Sequence, residues 1–175
     1  MANHLILGEL NDFLTGKMLP DTLDERYLQK IAKFLVNEKG YLKKEIQSHR
    51  TLNIKAGIKK AQLIVDLVVF VAEFAAMIIQ YGPGSLVTRH RPGLSFGRLL
   101  FPYQIPLIAV TNGLDADLLD GFSGKRIISG MTNLPGKKEL ANHCKGLAKK
   151  MISTRQAEIE TRILFAFEVD GSCNL

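Results

Sequence analysis

One carboxylate stands out in this chain because of where it lies. Asp66 interrupts the apolar run Gln62–Val71, which a second run, Phe74–Tyr81, follows after a two-residue break. Runs this rich in Val and Ile read as strands buried on both faces. A carboxylate inside such a strand must be paired, hydrogen-bonded or bound to a metal, because bare burial of its charge is prohibitive. Gln80 closes the second run, and its amide suits a polar cap on a strand end. Further on, Arg89-His90-Arg91 precedes Pro92, a residue well placed in the first turn of a helix. A basic cluster at a helix N-terminus suits a phosphate, and the bland reading is a solvated loop. Lys59-Lys60, Lys137-Lys138 and Lys149-Lys150 read as ordinary charged faces. His4, His49, His90 and His143 have no zinc-ligand spacing. Gly82-Pro83-Gly84 lacks the Lys-Ser/Thr pair of a phosphate-binding loop.

Other elements must position these groups. Thr22, with Glu25 three residues on, forms a capping signature after Pro20. Leu23, Tyr27, Leu28, Ile31, Phe34 and Leu35 then recur at helical spacing until Gly40 stops the helix near Lys39. Tyr41–Gln47 reads as a basic helical connector. His49–Lys55 alternates as a half-exposed strand, and a turn at Gly57 leads into the two buried strands. A weak helix is expected from Pro92 to Phe101. Its Gly93 and Gly97 share a face and permit close backbone packing. Pro106–Thr111 is another buried strand, and Asp117–Asp120 pairs with Lys125–Ser129 as a hairpin. Asn3–Leu14 is expected to be a short helix and Gly16–Pro20 a linker. Lys137–Ile152 and Thr154–Glu168 are expected to be helices, and Asp170–Leu175 a frayed tail.

From Thr22 onward the order is helix, three strands, helix, strand. Short turns make the first three strands an antiparallel meander, and the helical crossover sets the fourth parallel to its neighbour. The expected fold class is therefore α/β, a mixed sheet flanked by helices (αβββαβ) with extra C-terminal helices. The 175 residues make one domain, with a core over about 20–130 and a helical extension over about 137–168. Hydrophobic residues at 46% exclude a disordered chain, and the net charge of +6 permits a polyanionic partner. Cys144 and Cys173 form no framework of disulfides, which suits a reducing compartment. The opening residues do not form a signal peptide, and the longest apolar run is broken by Asp66 and Glu73, so no membrane span is expected. The expected setting is the cytoplasm.

This order resembles the core of the PD-(D/E)xK nuclease superfamily, a restriction-endonuclease-like core. More closely, it resembles the N-terminal domain of type I restriction enzyme R (HsdR) subunits. The residues that carry the likeness are Pro20-Asp21-Thr22 with Glu25-Arg26, Phe34-Leu35 with Lys39-Gly40-Tyr41, and Val65-Asp66-Leu67-Val68-Val69. It continues through Met77-Ile78-Ile79, the stretch from Gly82 to Arg89, Arg91-Pro92, Arg98-Leu99-Leu100, the stretch from Pro102 to Pro106, and Thr111-Asn112-Gly113. It spans about Pro20 to Ser129.

The resemblance implies hydrolysis of a phosphodiester, with carboxylates holding Mg²⁺ and a Lys positioning the nucleophile. Asp66 falls at the motif aspartate and Gln80 at the second acidic position, and Glu25 or Glu45 would complete the site. The lysine position falls at Gly82, so Lys59, Lys60 or Arg89 would have to supply that charge. The segment Ala72–Ala75, where related chains turn with Gly, has no residue suited to a positive φ. DNA is the implied partner, contacted through Arg89, Arg91, Lys59 and Lys60. A homodimer or other restriction-system subunits are the implied protein partners. Two functions follow: a DNA-binding nuclease that cleaves with Mg²⁺, or an inactive relative kept as a DNA-binding or protein-interaction module whose C-terminal helices dimerise or dock. Gly82 favours the second and Asp66 the first.

Overall fold

A computed structural model describes residues 5–170. Its centre is a six-stranded sheet: β3 (Ile46–Ala56), β4 (Lys59–Val71), β5 (Phe74–Tyr81), β6 (Leu107–Thr111), β7 (Ala116–Asp120) and β8 (Arg126–Ser129), paired in chain order. Only β5 and β6 run parallel, joined through helix α2 (Leu86–Leu99). The meander, the parallel fourth strand and the last hairpin are as the sequence predicts, and the hairpin extends the main sheet.

Each face of the sheet is covered. Helix α1 (Leu23–Asn37) lays Leu28, Ile31 and Leu35 on one face, against Leu67, Met77, Ile79 and Ala109. Leu140 of α3 (Lys137–Cys144) joins them. On the other face, α2 and α4 (Thr154–Leu164) enclose Val65, Val68, Ile78, Ile108 and Leu164. Thr22 caps α1, its Oγ accepting the Glu25 N–H at 3.1 Å. Leu23, at the edge of the expected apolar stripe, is exposed.

Helix α2 presses close to β6. A Cβ on Gly97 would lie 2.0 Å from Ile108 Cδ1, and one on Gly93 2.8 Å from Val110 Cγ1. That is the close packing the two glycines predict. The helix begins at Leu86, however, not at Pro92, so Arg89-His90-Arg91 is helical and Pro92 lies inside it. Proline there forgoes one helical hydrogen bond, which the packing of the following turn against β6 offsets.

Other boundaries differ from expectation. The expected N-terminal helix begins outside the described residues, and from Glu9 the chain is a small hairpin instead. Strand β1 (Glu9–Asn11) pairs with β2 (Met18–Pro20), the supposed linker. The expected helical connector is a single 3₁₀ turn, Lys43–Glu45, and β3 starts at Ile46. Helix α3 ends at Cys144 because Gly146, at φ 77°, redirects the chain. The following segment instead pairs backbone to backbone, Gln104 N–H donating to the Lys150 carbonyl at 2.9 Å. After Leu164 the last helix widens into a π-helical turn, Phe165–Asp170. The expected frayed tail beyond Asp170 lies outside the described residues. No helix among the described residues is long and apolar enough to cross a membrane.

Candidate functional site

Two adjoining strands break their pattern at the same level. In β3 and β4, Ser48 pairs with Leu67 and Arg50 with Val65, but the intervening His49 and Asp66 are not paired. His49 has φ 52°, a left-handed backbone uncommon outside glycine. Ile46 faces the α1 side, whereas Leu52 and Ile54 face the α2 side. In β4, likewise, Leu67 faces α1 and Val65 faces α2. Strict alternation would put each set on one face. The reversal occurs at His49 and Asp66, which form a polar slot of unpaired residues between apolar strands.

Strand β5 also separates from β4 here. Its ladder ends at Leu67 and Ile79, and side chains take over. The Asp66 N–H donates to Gln80 Oε1 at 2.8 Å, and the Tyr81 N–H donates to Asp66 Oδ2 at 2.7 Å. Gln80 Nε2 reaches the Ile64 carbonyl at 3.5 Å. Asp66 and Gln80 are thus brought together, each closing the other's strand end. Burial in the slot pushes the Asp66 carboxyl up to about 7, against the opposing pull of the Tyr81 N–H and the His49 charge.

A relay of polar groups approaches from α1. His49 Nε2 lies 2.9 Å from Glu25 Oε2, and Gln29 donates to Glu25 Oε1 at 2.7 Å and to Asp12 Oδ1 at 3.0 Å. The Phe13 N–H donates to Gln29 Oε1 at 2.6 Å. The bond to Glu25 raises the pKa of His49 despite burial, and the charges of Asp66 and Asp12 add to that effect. The candidate Glu25 therefore belongs to this cluster. Glu45 does not; it pairs with Lys137 at 2.7 Å and caps the Leu42 N–H. Sequence reasoning missed His49, Gln29 and Asp12. Pairing the expected strands across the Gly57 turn would have found His49, since that register sets it opposite Asp66.

The basic candidates divide. Lys59 and Lys60 are exposed at the far end of β4, six or more residues from Asp66 and hence about 20 Å along the strand. They cannot supply the charge absent at Gly82. Arg89 does reach that place: a Cβ on Gly82 would lie 2.6 Å from its Cζ and Nε. Arg91 is engaged elsewhere. Its Nη1 lies 2.5 Å from Glu160 Oε2, and Arg98, Ser95 and Gln156 converge on the same carboxylate. Burial alone would raise the pKa of Glu160, but these four donors hold it at about 2. His90 lies 2.8 Å from Asp117. Every member of Arg89-His90-Arg91 thus has an internal acidic partner, Glu168 in the case of Arg89.

The donor set is a poor match for a divalent cation as arranged. Hard cations need several convergent oxygens, charged carboxylates above all. Here Asp66 Oδ2, Gln80 Oε1 and both Glu25 oxygens already accept hydrogen bonds or face His49. Among the described residues no buried side-chain nitrogen or oxygen is left unpartnered, and no group of three acidic, His or Cys residues is arranged to hold a metal.

Comparison with known proteins gives one family. The model for the type I restriction enzyme R protein N terminus matches residues 23–135, from the start of α1 through all six strands of the main sheet. No curated protein and no solved structure matches the chain.

Proposed function

Because the chain belongs to the type I restriction enzyme R protein N-terminus family, we propose that it is a DNA-binding module on a nuclease-type frame in which hydrolysis is not assembled. The observation that carries this reading is the reciprocal closure of Asp66 and Gln80. Asp66 Oδ2 and Gln80 Oε1 splice diverging strands, and burial disfavours the charged carboxylate that Mg²⁺ would need. Gly82 stands where a Lys would position a nucleophile. Net charge, +6, and the exposed Lys55, Lys59 and Lys60 on the β3–β4 ribbon support binding to a polyanion. The family's setting makes other restriction-system subunits the natural protein partners. Leu164 and Glu160 are spent against α2, so docking through α4 and the turn after it is left to Ile159 and Phe167, which are exposed.

The test is incubation of plasmid and single-stranded DNA with Mg²⁺ or Mn²⁺, for the native protein and Asp66→Ala. No cleavage by either, with salt-sensitive DNA binding retained by both, is the expected result. Divalent-dependent cleavage that disappears in Asp66→Ala would overturn the reading and establish Asp66 as a working ligand. Absence of both cleavage and binding would remove DNA as the partner.

A further inference from the structure

Of the acidic partners of Arg89-His90-Arg91, one differs in kind. Arg91 and His90 are held at hydrogen-bond distance, Arg91 by a carboxylate with no solvent exposure. The Arg89 Nη1 lies 3.9 Å from Glu168 Oε1, and both side chains reach solvent, at 36% and 25% exposure. Glu168 belongs to the π-helical turn that follows α4 and packs against β4. A second open ion pair, Lys59 Nζ to Asp170 Oδ2 at 3.4 Å, ties down the same turn. Helix α4 itself is fixed firmly by Glu160. A rigid helix thus ends in a turn that Phe165 and Val169 anchor in the core and whose acidic side chains make two solvent-accessible pairs.

The Arg89 guanidinium is also in a prepared place. It fills the space over Gly82 that any side chain at that position would occupy. Gly82 is buried, its N–H bound to the Thr111 carbonyl at 2.9 Å, so the floor under the guanidinium is fixed. Asp66 and Glu168 are close enough for their charges to interact. A planar cation on a rigid floor, faced at 3.9 Å by a partly solvent-exposed carboxylate, is suited to a phosphodiester oxygen pair.

We propose that Arg89 is a phosphate-binding group for the nucleic-acid backbone and that Glu168 is a built-in competitor for it, so the turn Phe165–Asp170 must yield when DNA binds. The proposal deepens the DNA-binding reading and rests on it.

The test measures binding of a fluorescent duplex oligonucleotide across a salt series, in the full chain, for the native protein, Glu168→Gln, Arg89→Ala and the double variant. Glu168→Gln is expected to tighten binding about threefold to tenfold at low salt. Arg89→Ala is expected to weaken binding and to reduce the salt slope by about one. In the double variant the gain from Glu168→Gln should vanish. An equal gain with and without Arg89 would overturn the proposal, since that is a net-charge effect alone, and so would no gain at all. Thermal stability in inorganic phosphate supplies a readout independent of DNA. If phosphate stabilises Glu168→Gln more than the native chain, and not Arg89→Ala, the anion site stands even where no variant binds DNA, and the nucleic-acid reading is what fails. No such difference in phosphate and none in DNA would overturn both the site and its competitor.

Discussion

Replacing Asp66 with Asn isolates the proton held in the slot. The amide keeps an acceptor for the Tyr81 N–H but cannot ionise. The native carboxyl titrates at about 7 instead of 3.8. A carboxyl with a raised folded pKa binds more protons folded than unfolded between those values, so it costs stability as pH climbs through that window. The rise of about three units corresponds to about 4 kcal/mol at about 1.36 kcal/mol per unit, and partial solvent access trims this to about 2–4 kcal/mol. Below pH 4 the acid and the amide are near equivalents, and the two proteins should unfold at similar urea concentrations. At pH 8 Asp66→Asn should be the more stable by about 2–4 kcal/mol. Urea titrations at intervals from pH 4 to 8 would trace the difference, and other titrating groups largely cancel in it. A flat difference curve would refute the reasoning, showing that Asp66 titrates as an ordinary surface acid. Repeating the pH 8 titrations with Mg²⁺ adds a second check: saturable stabilisation of the native chain alone would mean that the slot reorganises to hold the ion.

Two further expectations concern stability. Glu160→Ala strands the Arg98 and Arg91 guanidiniums beside a vacated buried site and should cost about 3–5 kcal/mol, read by thermal unfolding. Because the folded pKa of Glu160 is depressed to about 2, its contribution is present above about pH 4.5 and fades as pH falls toward 2. Ala72→Gly should stabilise by about 1 kcal/mol, since Ala72 carries φ 53° in the two-residue turn between Val71 and Phe74. A loss of stability there would mean that the turn is not strained.

Much of this architecture is legible in the sequence, and the failures have physical causes. The capped, periodic α1 and the apolar β4, β5 and β6 announce themselves because burial alone dictates their composition. The turn at Ala72 is not legible, since the residues there advertise no positive φ and the strong pairing on either side imposes one. The N-terminal leucines are at helical spacing, but a backbone hairpin, Leu10 opposite Leu19, competes better than a short helix with Gly8 inside it. Pro92 is read as a helix start because local propensity favours it there; contact with β6 overrides that preference. At the site, Asp66 stands out by its type within an apolar strand, and Gln80 gains its place from the family resemblance. His49 and Glu168 are found by neither, because their roles arise from register and from a contact between distant parts of the chain, which no local pattern encodes. The basic run before Pro92 misleads for the same reason: its three acidic partners lie elsewhere in the sequence.

The pairing of Arg91 with Glu160 spans 69 positions of chain. During synthesis α2 and the sheet beneath it emerge well before the helix that seals them. At roughly 5–20 residues per second that interval is about 3–14 s. Until Glu160 arrives Leu94, Phe96, Val65 and Ile78 share a face that lacks its last covering layer, whereas the α1 face is complete once Leu140 has emerged. Between the emergence of Leu140 and that of Glu160 the nascent chain is therefore asymmetric, with its α1 side complete and its α2 side still open. A ribosome-associated chaperone would meet this protein on the α2 side, and slowed translation ahead of Thr154 would lengthen the encounter.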